Sequence, residues 1–280
     1  MSAPTAAQAM ATAAARLRAA GVPDPARDAR MLLAHAASVD AARVTLIAPE
    51  EIAPEIAERF EHLVALRAVR VPVSHLIGSR AFYGRNFKIS RDVLDPRPET
   101  ETLIEIALAE PFERVLDIGT GSGCILVTLL AERPAATGLG VDLSEAACLQ
   151  ASANAVLHGV EARARIEQSD WFSNVSGRFD LILANPPYLA LDEMADVSPE
   201  LSLHEPRMAL TDGKDGLSGY RVIAAEAHGF LTPQGRVMVE IGWQQGDAVA
   251  AIFAAAGWAQ VTLAEDMGGK PRVVCAARPA

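Results

Sequence analysis

The chain has few cysteines, scattered histidines and no long apolar run, and each shortage removes a class of protein. Its three cysteines, Cys124, Cys148 and Cys275, are too few and too widely spaced for a disulfide framework or a cysteine-based zinc site. No pair among the six histidines has metal-ligand spacing, so we expect no metal. No apolar run approaches the ~20 residues that cross a bilayer, so we expect no membrane partner. The cysteine usage fits a reducing, cytoplasmic compartment.

Positive charge is also scarce where a nucleic-acid-binding protein would need it. The formal net charge is −10. The first 75 residues hold eight arginines and eight acidic residues, so the whole excess of negative charge lies in the rest of the chain. Proteins that follow a phosphate backbone carry a basic surface. The charge distribution therefore argues against nucleic acid as the direct substrate.

The N-terminal part of the chain predicts a small helical bundle. The alanine-rich stretch 1–20 has only two arginines and no acidic residue, and we interpret it as a first helix rather than a targeting peptide. Asp24 followed by Pro25 is typical of a helix start. Residues 56–67 place apolar side chains at helical spacing on one face. We set this helical domain at residues 1–72 and a hairpin connector, richer in glycine and aromatic residues, at 73–95.

Residues 96–280 alternate strands with helices, a pattern typical of an α/β fold. Such alternation predicts a mostly parallel sheet with helices on both faces. The predicted strands are Arg114–Ile118, Gly138–Val141, Ala164–Ser169, Phe179–Asn185, Gly235–Ile241, Val261–Leu263 and Arg272–Ala276. There is no internal repeat and no low-complexity linker.

A glycine loop follows the first of these strands and precedes a helix. The loop consists of Gly119, Thr120, Gly121, Ser122 and Gly123. Its G-x-G-x-G spacing differs from the G-x-G-x-x-G of dinucleotide-binding folds. The next strand ends in Asp142, about where α/β nucleotide folds place the carboxylate that accepts ribose hydroxyls. Loop and acid together indicate a nucleoside-containing ligand, although Asp142 is also compatible with a helix N-cap.

Asn185-Pro186-Pro187-Tyr188 ends a later buried strand and is the most informative segment of the chain. The prolines cannot donate to a sheet, so they stop the strand. The Asn185 amide offers one acceptor oxygen and two N–H donors, and Tyr188 offers a flat face. Together they are suited to hold a planar nitrogen group. In isolation the segment is equally compatible with an ordinary proline turn.

The order of these motifs resembles that of class I S-adenosylmethionine-dependent methyltransferases that modify planar nitrogen groups. Over nearly the whole chain it is similar to the bacterial N5-glutamine methyltransferases of peptide chain release factors (the HemK/PrmC family). Besides the glycine loop and Asn185–Tyr188, the resemblance rests on residues 72–78, 82–84, 96–101, 168–172, 205–207, 215–217, 240–242 and 245–246. The Pro96–Glu101 run, PRPETE, is the most family-specific of these.

The resemblance implies a Rossmann-like, seven-stranded sheet with the last strand antiparallel, preceded by a substrate-recognition bundle and a β-hairpin. It implies transfer of a methyl group from S-adenosyl-L-methionine to the side-chain nitrogen of the glutamine in the Gly-Gly-Gln motif of class I release factors, which modulates translation termination. The protein substrate would be a release factor. Residues 96–280 would form the methyltransferase domain.

Residue roles follow from the same resemblance. The cofactor-binding residues would be Gly119, Thr120, Gly121, Ser122, Gly123, Asp142, Trp171 and Asn185. The catalytic residues would be Asn185, Pro186 and Tyr188, and the glutamine would be held by Asn185, Pro186, Pro187 and Tyr188. The Asn185 oxygen and the Pro186 carbonyl would accept the two N–H groups of the substrate amide, and Tyr188 would pack against its plane.

Three features lie close to these residues in the sequence. Asp117 is expected to hold the loop through backbone N–H groups. Cys124 opens the helix after the loop and is either a thiol with a lowered pKa or an ordinary buried residue. Glu99 and Glu101 either line the cleft or favour the positive end of a helix.

Other functions stay open on sequence grounds. A glutamine methyltransferase of a ribosomal protein would carry the same catalytic motifs. An amino-methyltransferase of a DNA or RNA base also uses an Asn-Pro-Pro-Tyr segment, because an exocyclic amine presents similar N–H groups. A cofactor-binding scaffold without activity would bind the cofactor and not turn it over.

Overall fold

The computed structural model describes residues 4–278, which divide into two compact units. The first unit extends to Ser79 and also includes Ser198–His204, and the second comprises Arg80–Val197 and the residues from Glu205 onward. Across residues 4–278, no helix has both the length and the apolar character needed to cross a membrane.

The helices and strands are numbered in chain order. The helices are α1 Ala6–Ala19, α2 Pro25–Ala37, α3 Val44–Ile47, α4 Pro54–Ala68, α5 Val73–Ile77, α6 Thr100–Ala109, α7 Cys124–Glu132, α8 Glu145–Leu157, α9 Pro199–His204, α10 Arg207–Leu210, α11 Ser218–Glu226 and α12 Gly246–Ala255. The strands are β1 Ser79–Phe82, β2 Arg85–Lys88, β3 Arg114–Ile118, β4 Thr137–Asp142, β5 Ala164–Gln168, β6 Phe179–Ala184, β7 Leu231–Glu240, β8 Ala259–Glu265 and β9 Pro271–Ala277. Short 3-10 helices lie at Ala41–Arg43, Glu193–Ala195 and Ala227–Phe230.

The first unit is helical, as the sequence predicts. The alanine-rich stretch forms α1 within the described residues, and residues 1–3 lie outside them. Asp24 caps α2 by accepting a hydrogen bond from the Arg27 backbone N–H, with Pro25 in the first turn. Apolar residues from α1, α2 and α4 form one buried core, which includes Leu17, Leu32, Leu33, Phe60 and Val64.

A buried ion cluster ties α9 into this unit. Arg67 is only 5% exposed, and its guanidinium lies 2.8 Å from Asp28 Oδ2 and 2.8 Å from Glu200 Oε1. Arg70 Nη2 lies 2.5 Å from the second oxygen of Glu200. Removing one member of such a buried cluster leaves an unpaired charge, which costs about 3–5 kcal/mol. Glu200 therefore holds Ser198–His204 to the helices of this unit.

The second unit contains a seven-stranded sheet of order β5-β4-β3-β6-β7-β9-β8. Neighbours from β5 to β7 are parallel, and β9 runs antiparallel to both β7 and β8. Strand β9, the last in the chain, is thus the antiparallel strand, which confirms the predicted fold. The predicted hairpin is also present as the two-stranded sheet β1-β2.

Alternating side chains of the central strands build two cores, one on each face of the sheet. Val115 of β3 and Leu183 of β6 pack with α6, α7 and α8. Their neighbours Leu116 and Ile182 pack with α11 and α12 on the opposite face. Successive strand residues point to opposite faces, so strands covered by helices on both sides are apolar throughout.

Two predicted strands, β7 and β8, had bounds that were wrong by more than one residue. Strand β7 begins at Leu231 rather than Gly235, because Leu231 pairs with Phe179 before a register shift in the β6–β7 ladder. Strand β8 extends over Ala259–Glu265, wider than the predicted three residues, because it pairs along β9. Neither change moves the carboxyl ends of the strands that carry the motifs.

Candidate active site

The glycine loop lies between β3 and α7, where the strand order reverses. Gly119, Gly121 and Gly123 have φ angles of 72°, 54° and 78°, a region that residues with a Cβ rarely adopt. A Cβ on Gly123 would also lie 3.1 Å from the backbone of Ala151, so the loop packs closely on α8. Ligands of open α/β sheets bind at such a reversal, beyond the carboxyl ends of the strands.

Asp142, the last residue of β4, contacts this loop directly. Its Oδ2 accepts a hydrogen bond from the Gly121 N–H (2.9 Å), and its Oδ1 accepts one from the Ser144 N–H (2.9 Å). The N-cap of α8 is Ser144, whose hydroxyl accepts from the Ala147 N–H. Each carboxylate oxygen retains a free lone pair, so Asp142 can accept further hydrogen bonds from a ligand.

Asp117 supports the loop from below by a contact that differs from the predicted one. Its Oδ2 accepts a hydrogen bond from the Thr120 hydroxyl at 2.7 Å, whereas the Gly119 and Thr120 N–H groups donate to the Val141 carbonyl. Burial raises the pKa of Asp117 to about 7. The expected backbone N–H partners were wrong, because the end of β4 already supplies their acceptor.

Cys124, the first residue of α7, is an ordinary buried residue. Burial raises the pKa of its thiol to about 12. A thiol with such a pKa is protonated at neutral pH and is not a nucleophile. The alternative of an activated thiol is wrong.

Asn185 follows the last residue of β6 and lines the same cleft as Asp142 and the glycine loop. Its Nδ2 donates a hydrogen bond to the Thr100 hydroxyl (3.3 Å). Its Oδ1 is buried and has no hydrogen-bond partner in the described part of the chain. An unsatisfied buried acceptor costs about 1–3 kcal/mol, which an N–H group of a ligand would recover.

Two loops and the first turn of α11 hold the rest of the Asn185–Tyr188 segment. The Tyr188 carbonyl accepts a hydrogen bond from Gln245 Nε2 at 2.8 Å. A Cβ on Gly216 would lie 2.2 Å from that carbonyl, and a Cβ on Gly219 would lie 2.9 Å from Pro186 Cβ. The glycines therefore allow neighbouring chain to pack directly against the segment.

Tyr188 and Trp171 complete the surroundings of the segment. Burial raises the pKa of the Tyr188 phenol to about 12, so it stays protonated at neutral pH. Trp171 has a φ of 49° and packs partly against the apolar core beside α11, while its neighbour Asp170 is exposed. Trp171 both lines the cleft and packs against the core.

The Pro96–Glu101 run contributes support and a cleft wall. Arg97 Nη2 contacts both carboxylate oxygens of Glu205 at 2.6 and 2.7 Å. Glu101 accepts a hydrogen bond from the Tyr83 N–H at 2.8 Å and so ties α6 to the hairpin. Glu99 occupies the N-cap position of α6 and makes no side-chain capping bond. Pro96, Arg97 and Thr100 line the cleft, and the two glutamates do not belong to that lining.

The sequence placed Thr100 and Glu240 in motifs of the resemblance without giving either a role, and it did not point to Asp212. Asp212 accepts hydrogen bonds from the backbone N–H groups of Lys214, Gly216 and Ser218, which lower its pKa to about 2 and fold the loop that meets Tyr188. Glu240 could have been noticed because it is the one acidic residue in the apolar run 237–241. In residues 4–278 no group of three or more His, Cys, Asp or Glu side chains could hold a metal ion.

Comparison with known proteins identifies the family. Residues 8–78 match the model of the PrmC N-terminal domain, and residues 88–213 match the methyltransferase small domain. The chain is 55% identical to the release factor glutamine methyltransferase of Cereibacter sphaeroides, over 98% of this chain and 99% of that protein. The chain belongs to the release factor glutamine methyltransferase family. It is also 41% identical to the Rhodospirillum rubrum member, over 95% of this chain and 82% of that protein.

Solved structures support the methyltransferase fold of this family member. A methyltransferase from Pyrococcus furiosus matches with a TM-score of 0.55 at 17% identity, over 71% of this chain and 92% of that chain. The catalytic domain of human Mettl16 matches with a TM-score of 0.58 at 15% identity, over 78% and 82% of the two chains. Membership of the release factor glutamine methyltransferase family, rather than these structures, supports S-adenosylmethionine as the cofactor, as the sequence resemblance predicted.

The cleft of this methyltransferase fits that cofactor in chemical character. The glycine loop leaves its backbone open to close approach, and Asp142 offers carboxylate acceptors suited to ribose hydroxyls. The Asn185 oxygen, which has no hydrogen-bond partner within residues 4–278, belongs to a residue that lines the same cleft. The glycine loop, Asp142 and Asn185 thus line one cavity.

Replacing Asp142 by alanine is expected to raise the dissociation constant for S-adenosylmethionine at least about tenfold, because hydrogen bonds to a carboxylate are lost. Isothermal titration calorimetry measures the change directly. Asp180→Ala is a matched control. Asp180 also accepts two backbone N–H groups, from Glu113 and Arg114, but it lies at the amino-terminal end of β6, away from the cleft. Equal affinities of the wild type and Asp142→Ala would refute the ribose assignment.

Proposed function

We propose that this chain transfers the methyl group of S-adenosylmethionine to the side-chain nitrogen of the glutamine in the Gly-Gly-Gln motif of class I release factors. The observation that carries the proposal is the Asn185 amide, whose buried oxygen lines the cleft and has no hydrogen-bond partner in residues 4–278. The names of the relatives supply the release factor as substrate.

The acceptor residues align the substrate amide. The Asn185 oxygen and the Pro186 carbonyl accept its two N–H groups, and Tyr188 packs against its plane, with Pro187 fixing the backbone between them. A glutamine nitrogen is a weak nucleophile because its lone pair is delocalised into the carbonyl, so alignment is the main contribution of the protein. The two acceptors also stabilise the positive charge that develops on the nitrogen, which afterwards releases one proton.

The cofactor residues occupy the other part of the cleft. When bound, S-adenosylmethionine supplies an activated methyl carbon on a positively charged sulfur. We assign contacts with it to Gly119, Thr120, Gly121, Ser122 and Gly123, to Asp142 and Trp171, and on the acceptor side to Asn185. The residues Thr120 and Ser122 of this loop are buried, so they would contact the cofactor through their backbone.

We further propose roles for the parts of the chain outside the cleft. Residues 1–72 take part in recognising the release factor, 73–95 form the connector and 96–280 form the catalytic domain. A nucleic acid substrate is disfavoured by the acidity that follows residue 75. The three scattered free cysteines favour the cytoplasm as the compartment.

The deciding experiment is mass spectrometry of peptides from a purified release factor after incubation with this protein and S-adenosylmethionine. We expect one added methyl group on the glutamine of the Gly-Gly-Gln motif, and none when that glutamine is replaced by alanine. Methylation of a ribosomal protein or of nucleic acid instead, with no gain on the release factor, would overturn the substrate assignment.

A further inference from the structure

Glu240 is a buried carboxylate beside Asn185 that the proposed reaction does not use. It is the last residue of β7, is 1% exposed and has one oxygen, Oε2, without a hydrogen-bond partner among the described residues. The Thr100 and Asn185 side chains, which hydrogen-bond to each other at 3.3 Å, both interact with its carboxylate and lower its pKa. Its backbone carbonyl accepts a hydrogen bond from the Tyr220 hydroxyl at 2.9 Å, so its strand position is fixed from the other side.

An asparagine amide presents nearly the same shape when its oxygen and nitrogen exchange places, so its partners decide which way it faces. An ionised carboxylate only accepts hydrogen bonds. Glu240 therefore requires the Nδ2 group of Asn185 on its side, where the Thr100 hydroxyl also accepts from Nδ2 at 3.3 Å. The Asn185 oxygen is then left without a partner.

We propose that Glu240 is a positioning residue that orients the Asn185 amide so that its oxygen is free to accept an N–H group of the substrate. This inference rests on the proposed function, since it assigns the freed oxygen to the substrate amide. With Glu240 protonated, its O–H group can donate to the Asn185 oxygen, and the amide loses the constraint that keeps this oxygen free.

The surroundings of Glu240 place this change near neutral pH. Burial raises the pKa of Glu240 to about 7, and the negative charge of Glu99 adds to the rise. Interactions with Thr100, Arg272 and Asn185 act in the opposite direction and lower this pKa. The other titratable groups that interact with it are Tyr188, Tyr220 and Cys124. The carboxylate form, which orients Asn185, predominates above about pH 7 and is lost as the pH falls through that value.

The test compares Glu240→Gln with the wild type from pH 6 to 8.5, using methylation of a purified release factor. At pH 8.5 we expect kcat/KM of the variant to be lower by about tenfold, the effect of losing a hydrogen bond to a charged group. The ratio of variant to wild type should approach one as the pH falls, because the wild type loses its carboxylate. Using the ratio cancels pH effects from other groups and from the substrate.

Two binding measurements separate positioning from general damage. The dissociation constant for S-adenosylmethionine should stay within about twofold, whereas release factor binding in the presence of S-adenosylhomocysteine should weaken several-fold, by the loss of one oriented hydrogen bond. Glu101→Gln is the matched control: it removes a nearby carboxylate that contacts the hairpin instead of Asn185, and its kcat/KM ratio should stay near one at every pH.

A ratio of one for Glu240→Gln at every pH, or a loss that does not vary with pH, would refute the positioning role. Absence of methylation by the wild type would instead refute the proposed function. If Glu240→Gln does not fold, Thr100→Val provides a second test, because it removes the other acceptor of Asn185 Nδ2. We then expect a several-fold lower kcat/KM, with a pH dependence displaced to higher pH because the hydrogen bond from Thr100 no longer lowers the pKa of Glu240, and an unchanged kcat/KM would overturn the proposal.

Discussion

Asn185→Ala is expected to lower kcat by about 10²- to 10³-fold, the usual effect of removing one polar group aimed at developing charge. The substitution deletes the buried amide oxygen that has no hydrogen-bond partner in the part of the chain that the structure describes. It does not touch the glycine loop or Asp142, so affinity for S-adenosylmethionine should stay within a few-fold of the wild type. Single-turnover methylation of a release factor measures the first quantity, and calorimetry measures the second.

The two measurements together decide the role of Asn185. Unchanged turnover would exclude it as the group that holds the substrate amide. A loss of turnover matched by an equal loss of cofactor affinity would make it a cofactor residue alone. The proposal requires kcat to fall much further than the affinity for S-adenosylmethionine.

Gly216→Ala is expected to reduce turnover about 100-fold by displacing the acceptor segment, a change of the size produced by misplacing a reacting group by about 1 Å. The new Cβ would lie 2.2 Å from the Tyr188 carbonyl oxygen and 2.9 Å from its carbon. Both are backbone atoms, so a rotamer change cannot relieve the clash. Stopped-time methylation assays at saturating cofactor measure the loss.

The same loop provides the control. Gly213 has a φ of 73°, equal to that of Gly216, but a Cβ there would meet nothing within 4 Å. Gly213→Ala therefore carries the same backbone strain, about 1–2 kcal/mol, without the clash. Comparable activities of the two variants would show that strain, and not displacement of Tyr188, determines the effect.

Much of the catalytic unit could be predicted because its signals are local. A short apolar run followed by glycines predicts a strand, a loop and a helix start, and β3 has the predicted bounds. Asn185 directly follows β6 because prolines cannot continue a ladder. Parallel neighbours bring the carboxyl ends of β3, β4 and β6 to one edge, so motifs more than 60 positions apart share one cleft.

The supports of the site could not be predicted, since they depend on side chains brought together only by folding. The hydrogen bond from Asn185 to Thr100 joins residues 85 positions apart. The sequence shows Glu240 only as part of the motif at 240–242. Hydrophobic periodicity does not reveal which buried side chains a carboxylate at the end of a strand will contact. The clash that makes Gly216 necessary likewise depends on where the Tyr188 carbonyl lies.

The ion cluster around Glu200 limits how this protein can be cut into fragments or exchange its helical unit by recombination. Ser198–His204 belongs to the helical unit although it lies more than 100 residues beyond that unit's other segment, so the chain passes between the units at three places. A fragment ending at Ser79 would leave Arg67 and Arg70 without Glu200. The helical bundle is therefore not a cassette that recombination can exchange by a single crossover, and a new bundle would need a matching segment inside the catalytic domain.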